Sequence, residues 1–234
     1  AAQEQQDIDF NDLLIRRPVK RTGYLIISSD KGLAGSYNSS ILKATRDMIL
    51  QDHQTSDEYV IISIGETLAN DLKKSGIHVE YVVSDLSDQP SFNEVTQVVS
   101  QAVKHFHDAV FDELYVCYNH HVNALTSQFH VEMMLPLGDL DHEEVEEHEI
   151  DYLFEPTEGD ILEVLLPQYA ESLIYGAIID AKAAEHASRM TAMKSATDNA
   201  KDLIDQLTME YNQLRQAAIT QEINEIVGGA QALD

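Results

Sequence analysis

Short apolar runs alternate with stretches of helical spacing from residue 18 onwards. The strand-like runs are compact and rich in β-branched residues, and several end at a glycine or another turn residue. Strands are predicted at 24–27, 59–64, 79–83, 114–118 and 126–134, and helices at 38–48, 66–74 and 92–111. Such alternation predicts an α/β fold with a small, largely parallel sheet flanked by helices.

The C-terminal third has a different pattern. Residues 168–227 contain no proline and a single glycine, Gly176, before Gly228 and Gly229. A continuous helix over this stretch would be about 90 Å long, whereas helices of globular proteins usually have 8 to 20 residues. The sequence therefore predicts a very long C-terminal helix that protrudes from the globular part.

Apolar residues recur along this helix at spacings of three and four residues, about 3.57 per turn on average. These positions, called the seam below, are Met193, Ala196, Ala200, Leu203, Leu207, Tyr211, Leu214 and Ala218. The seam predicts a gently left-handed coiled coil, although an ordinary core helix is the alternative. Because no second helix of similar length is predicted, the partner is another chain or a segment missing from this one.

Two polar segments complete the predicted domain organisation. Residues 1–17 are polar except for a short apolar patch, and we interpret them as a helix remnant or linker that stops before Pro18. Residues 139–151 contain eight carboxylates, which predicts a solvated acidic loop. The predicted division is 1–17 as remnant, 18–157 as α/β domain and 158–234 as helix. The chain opens on Ala-Ala without a signal-peptide pattern, so a segment is expected to be missing upstream.

The charge balance narrows the function. With 41 acidic and 15 basic residues the net charge is −26, which argues against nucleic-acid binding. No apolar run approaches the roughly 18 to 20 residues of a transmembrane helix. The single cysteine, Cys117, excludes an internal disulfide framework, and its apolar surroundings predict a buried, inert thiol.

Candidate chemistry is weak throughout the chain. Residues 29–38 connect a predicted strand to a helix, but they match neither the dinucleotide fingerprint nor the Walker pattern, so a tight turn is favoured. Among ten histidines, His105 and His107 point apart on a helix, while His142 and His148 stand within the acidic segment. No zinc-site spacing and no nucleophile motif occurs. We predict no metal, no cofactor and no catalytic residue.

Several motifs together carry a resemblance to a known family. They are Ile-Thr-Gln-Glu-Ile-Asn-Glu-Ile-Val-Gly-Gly-Ala at 219–230, Arg-Met-Thr-Ala-Met-Lys-Ser-Ala-Thr-Asp-Asn-Ala at 189–200, Tyr-Leu-Phe-Glu-Pro at 152–156, the block 171–176, and Ser-Asp-Lys-Gly-Leu-Ala-Gly at 29–35. These blocks resemble the gamma subunits of rotary proton-translocating ATP synthases of the bacterial type. The likeness extends from about residue 18 to the end. The family's long N-terminal helix, which pairs antiparallel with the C-terminal one, is mostly absent from this sequence.

The resemblance implies a non-catalytic rotor shaft inside a ring of alternating α and β subunits, at the cytoplasmic face of the bacterial cell membrane. It implies that proton transport through the membrane c-ring is coupled by rotation to ATP synthesis or hydrolysis. Residues implied to contact the β subunits are Arg215, Gln216, Thr220, Glu222 and Glu225, although solvent-exposed helix residues whose charges contribute little are the alternative. Tyr152 and Glu155 are implied to contact the epsilon subunit and the c-ring, although a loop anchor within the α/β domain is the alternative.

One other class stays open from the residues alone. A nucleotide-binding α/β enzyme with a helical oligomerisation arm would have the same alternation of elements and the same long helix. In either case the unpaired seam predicts possible self-association of the isolated chain.

Overall fold

The computed structural model describes residues 13–123, 126–137 and 158–231, with side chains of the last segment described over 165–229. The strands are β1 (Thr22–Ile27), β2 (Tyr59–Ile64), β3 (Tyr81–Val83), β4 (Glu113–Asn123) and β5 (Thr126–Leu135). The helices are α1 (Tyr37–Asp52), α2 (Glu66–Lys74), α3 (Phe92–His107) and α4 (Glu158–Gln231). The predicted remnant before Leu13 and the acidic loop 139–151 lie outside the described residues.

The five strands form one sheet in the order β3-β2-β1-β4-β5. Strands β1, β2, β3 and β4 are parallel to one another, and β5 is antiparallel to β4. Every residue of the central strand β1 is buried, which explains its continuous apolar pattern. The prediction of a small, largely parallel sheet flanked by helices is therefore confirmed.

Apolar side chains cover both faces of the sheet. One face packs against α3 and the first turns of α4, with Val99, Phe106 and Ile178 among its buried residues. The other face packs against α1 and α2, with Ile41 and Leu72 among its buried residues. The sheet is thus the middle of three layers, as in other α/β domains.

Several element ends differ from the sequence prediction: β1 begins two residues earlier and α1 ends four residues later than predicted, and three further differences have a visible cause or a larger extent. Helix α3 ends at His107 instead of continuing to residue 111, because Ala109 adopts φ 53° and its N–H bonds to the carbonyl of Phe106. Strand β3 begins at Tyr81 instead of residue 79. Strand β4 continues to Asn123, since its polar second half pairs with β5 alone, beyond the end of β1.

The chain forms two compact units, residues 1–189 and 190–234. Helix α4 contributes to both, and within the first unit its buried apolar residues follow helical spacing. These residues are Leu166, Ala170, Ile174, Ala177, Ile178, Ala181 and Ala184. The very long C-terminal helix is confirmed, and it accommodates Pro167 near its start. Within the described part of the chain, no helix is both long and apolar enough to cross a membrane.

Candidate functional site at the sheet edge that holds helix α4

The strand order reverses between β1 and β4, so the carboxyl ends of these two strands meet at one edge of the sheet. In open α/β sheets this switch point is where a crevice opens and ligands bind. The loop from Ser28 to Ser36 follows β1 here, and the residues from Tyr118 onwards extend β4 past the end of β1. Any nucleotide site of the doubly wound type would be expected between them.

Helix α4 lies against this edge and is fixed to it by hydrogen bonds. The Tyr37 hydroxyl donates to the carbonyl of Ala181 at 3.0 Å. The Ser188 hydroxyl donates to the carbonyl of Ala34 at 2.6 Å. Ala181 and Ala184 are buried between these contacts, and their small side chains let the helix come close to the sheet. The crevice is therefore occupied by the protein's own helix.

A buried charge cluster lies at the same contact. Glu185 is 3% exposed, and its carboxylate accepts hydrogen bonds from the Ser29 hydroxyl at 2.8 Å and from Arg189 at 2.6 Å. Lys182, itself 6% exposed, places Nζ 3.5 Å from the second carboxylate oxygen. Burial alone would raise the pKa of Glu185, but the hydrogen bonds from Arg189 and Ser29 and the charge of Lys182 outweigh it and hold that pKa below its ordinary value.

A second polar contact joins α4 to strand β4. Asp180 Oδ2 lies 2.5 Å from His120 Nδ1, and Asp180 Oδ1 accepts the backbone N–H of His121 at 3.1 Å. Burial, together with the charge of Asp180, raises the pKa of the nearby Tyr118 to about 12, so this phenol stays neutral. These groups position the helix, and none of them has the arrangement of a nucleophile and its base.

Sequence reasoning missed most of this contact. Asp180, Lys182 and Glu185 were not singled out, because charged residues in a helix are ordinarily solvent-facing. Two motifs did point towards it. Ser29 begins the segment 29–35 and Arg189 begins the block 189–200, and the structure brings both to the carboxylate of Glu185. The prediction that 29–38 is a connection between strand and helix is confirmed.

The predicted coupling residues all lie on α4 in the second unit. Arg215, Gln216, Thr220, Glu222 and Glu225 are exposed. The Thr220 hydroxyl bonds to the carbonyl of Gln216 at 2.8 Å, one turn earlier in the helix. The structure therefore places these five residues on a helix surface without testing what they touch. Tyr152 and Glu155 lie outside the described residues.

The eight seam residues share one face of α4. At about 100° per residue they fall within an arc of roughly 80°. All eight are exposed, with Leu207 53% and Leu214 71% accessible. The described residues of the second unit provide no cover for this stripe.

Reactive groups are scarce in the described residues. Cys117 is fully buried in β4, and burial raises the pKa of its thiol to about 12, so the prediction of a buried, inert cysteine is confirmed. In these same parts of the chain no three His, Cys, Asp or Glu side chains come together as possible metal ligands. His142 and His148 lie outside the described residues.

The fold and the site define a class of α/β protein in which the long C-terminal helix packs into the switch-point crevice of the sheet. In other open α/β sheets this crevice binds ligands. The sequence profile described as ATP synthase matches residues 1–233. The chain belongs to this family, and its curated relatives are ATP synthase gamma chains.

The relatives are close in sequence. The gamma chain of Enterococcus hirae is 60% identical over 228 residues, which are 97% of this chain and 76% of that protein. The gamma chain of Lacticaseibacillus paracasei is 57% identical over 99% of this chain and 75% of its own length. The chain thus spans about three quarters of these relatives.

Solved structures show the same fold at lower identity. A chain of the Euglena gracilis mitochondrial ATP synthase, solved with OSCP, F1 and the c-ring, superposes with a TM-score of 0.70 at 18% identity, covering 97% of this chain and 81% of that one. The central stalk and c-ring structure from Tetrahymena thermophila gives 0.62 at 23% identity, covering 81% and 82%.

Proposed function

We propose that this chain is the central rotor subunit of the ATP synthase catalytic head. In this role it couples proton translocation to ATP synthesis or hydrolysis by rotating within the ring of α and β subunits. As a member of the gamma chain family it belongs to a membrane-attached ATP synthase complex. The observation that carries the proposal is the exposed apolar seam on the part of α4 beyond residue 189.

A rotor shaft has to bind its partners along an extended surface, and the seam has the properties of such a surface. Leu203 is 55% and Tyr211 64% exposed, although both belong to residue types that are usually covered. The alanines between them would let a partner helix approach closely. The family's antiparallel N-terminal helix is the partner that fits this seam.

The apolar stripe changes face after Ala218. Ile219, Ile223 and Ile226 are exposed, and they lie roughly 120° around the helix from the middle of the seam. One straight partner helix could not cover both stripes. The last turns of α4 are therefore suited to contact a different partner, and we propose that this partner is the β subunits.

Charged and polar side chains surround this terminal stripe. Arg215 and Glu222 are seven residues apart and share one side of it, whereas Thr220 lies towards the opposite side. This unequal distribution of charge would present different contacts to the three β subunits as the helix turns. We propose that Gln216 and Glu225 belong to the same coupling surface.

The subunit is proposed to perform no chemistry on nucleotide. Its switch-point crevice contains α4, with Ser29 and Glu185 bonded to each other where a ligand would enter. The nucleotides would then be held by the α and β subunits. The alternative of a nucleotide-binding enzyme with an oligomerisation arm gains no support from this crevice.

We also propose that the chain attaches to the membrane sector of the complex. This proposal rests on the motif at 152–156, with Tyr152 and Glu155 as contacts to the epsilon subunit and the c-ring. The location that follows is peripheral, at the cytoplasmic face of the bacterial cell membrane.

The test is co-elution of the chain with an α/β catalytic ring on a sizing column, with ATPase activity measured in each fraction. We expect co-elution with stimulated activity, and weaker stimulation for the double variant Arg215→Ala, Glu222→Ala. The matched control is Asp198→Ala, Lys201→Ala, which also removes one acid and one base from the exposed surface of the same helix.

A second, longer chain decides whether a failure to associate contradicts the proposal. If this chain does not associate, a longer gamma chain carrying a complete N-terminal helix is tested on the same ring. If that chain does not associate either, the rotor proposal is wrong. Equal loss of stimulation in both double variants would remove the assignment of Arg215 and Glu222.

A further inference from the structure

A cavity opens at the amino ends of β1 and β4, at the opposite end of these strands from the contact with α4. Its volume is about 340 Å³, and it lies beside the last turn of α1. Two tyrosines, two carboxylates and a histidine contribute to its wall; they are Tyr24, Tyr115, Asp52, Glu113 and His53. The contacts already described do not involve this cavity.

The sheet register builds the wall from two rows of paired residues. Tyr24 is the register partner of Tyr115 across β1 and β4, and their rings stack with centroids 6.0 Å apart at an interplanar angle of 26°. Thr22 is likewise the partner of Glu113, and its hydroxyl donates to Glu113 Oε1 at 2.8 Å. Because side chains two residues apart share a face, the tyrosine pair and Glu113 line the same side of the sheet.

The phenol of Tyr24 is fixed by its neighbour. Its oxygen lies 2.8 Å from His53 Nε2, and the two rings meet edge to face. Burial and the charge of Asp52 raise the pKa of Tyr24, and burial and the charge of Glu113 raise that of Tyr115. Both phenols therefore stay neutral beside the carboxylates of Asp52 and Glu113.

The two carboxylates have no cationic partner. Among the residues that the structure describes, no lysine or arginine forms an ion pair with Asp52 or Glu113. Asp52 is exposed at the end of α1, and Glu113 uses one oxygen for Thr22. Negative charge beside a stacked aromatic pair in a preformed cavity is the combination that attracts an organic cation.

We propose that this cavity binds an organic cation, with a guanidinium group as the best fit. A planar guanidinium can stack on the face of Tyr115 and donate hydrogen bonds to a carboxylate at its edge. An ammonium group shares the charge but lacks the flat surface. The site is separate from the seam and from the coupling residues, so it goes beyond the proposed rotor function.

The probe is arginine amide, titrated into the chain by calorimetry and followed by NMR at the tyrosine rings. Citrulline amide is the control ligand: it keeps the α-ammonium group of arginine amide and replaces the guanidinium by a neutral urea of the same shape, so the difference in binding is due to the guanidinium charge. We expect saturable binding of arginine amide with ring shifts at Tyr24 and Tyr115, and no saturable binding of citrulline amide. Equal binding of the two, or none of arginine amide, would overturn the proposal.

Variants of the wall locate the site. Asp52→Asn is expected to weaken binding about tenfold, since it removes a charged acceptor. The control Asp47→Asn makes the same change on the exposed surface of α1, outside the cavity, and should leave affinity unchanged. Tyr115→Leu is expected to weaken binding about fivefold, whereas Tyr115→Phe keeps the ring and most of the affinity. Equal affinity of Asp52→Asn and wild type would exclude this cavity as the binding site. Because Asp52 is exposed, its replacement should not unfold the chain, so weaker binding of this variant would not be due to loss of the fold.

The same titration on an assembled ATP synthase distinguishes two sources of the cation. Binding of arginine amide to the free chain but not to the complex would mean that another subunit covers or fills the cavity, as an arginine side chain of that subunit would. Binding in both would assign the site to a small free cation.

Discussion

At Glu185 the chain keeps a carboxylate that is 3% exposed and surrounded by Lys182, Arg189 and Ser29. Replacing it by glutamine leaves Lys182 buried without its counter-charge. We expect Glu185→Gln to lower the free energy of unfolding by about 3 kcal/mol, as is usual when one partner of a buried pair is removed. Urea denaturation measures the change, and the exposed Glu222→Gln should change it by less than about 0.5 kcal/mol.

The pH dependence of the free energy of unfolding, measured for wild type and Glu185→Gln, separates the contribution of the Glu185 charge from that of its packing. Because the native pKa of Glu185 is lowered, its stabilising contribution is complete above the unfolded value of about 4.3 and is lost as pH falls through the native value. The difference between wild type and Glu185→Gln should therefore be constant near neutral pH and narrow below about pH 4. A difference that stays constant down to pH 2 would show that lost packing causes the effect.

At the scale of elements, the end of a helix or strand could be predicted where its cause lies in residues next to it in the sequence. Helix α2 and strand β2 were predicted with their observed bounds, because Gly65 and Gly76 next to them mark the ends in the sequence itself. The polar end of β4 was missed, since its only reason to be a strand is pairing with β5. The burial of Glu185 was missed for a similar reason: the sheet that covers it is formed by residues far away in the chain.

The seam could be predicted from the sequence because its spacing is a property of one helix. Its partner could not be predicted in this way, because it lies outside that helix. If the seam mediates self-association, Leu203→Glu with Leu207→Glu should raise the dimer dissociation constant by more than about tenfold, since two half-exposed leucines would no longer be buried. Sedimentation equilibrium measures the shift. Met209→Glu adds a carboxylate on the opposite face of α4, where the side chain is 65% exposed, and should leave the association unchanged.

At the scale of the whole molecule, the strand order favours nucleotide binding, whereas the net charge opposes it. The order β3-β2-β1-β4-β5 has the switch point at which doubly wound sheets hold nucleotides. The net charge of −26 opposes a polyphosphate, and α4 occupies the crevice through Ser29, Tyr37 and Ala34. A ligand at the switch point would have to displace these contacts, and the open space that remains beside them is a cavity of about 190 Å³ lined by Lys31, Lys182 and Glu185 among others.

Thermal unfolding with ATP, ADP and NAD tests this argument directly. A ligand present at 100 times its dissociation constant would stabilise the chain by about 2.7 kcal/mol. We expect none of the three to raise the melting temperature beyond the effect of tripolyphosphate at equal concentration, which serves as the control for charge and ionic strength. Stabilisation specific to one nucleotide would mean that the contacts of α4 do not close the chain to nucleotides. In that case the nucleotide-binding alternative would have to replace the proposal that the subunit acts only through its interfaces.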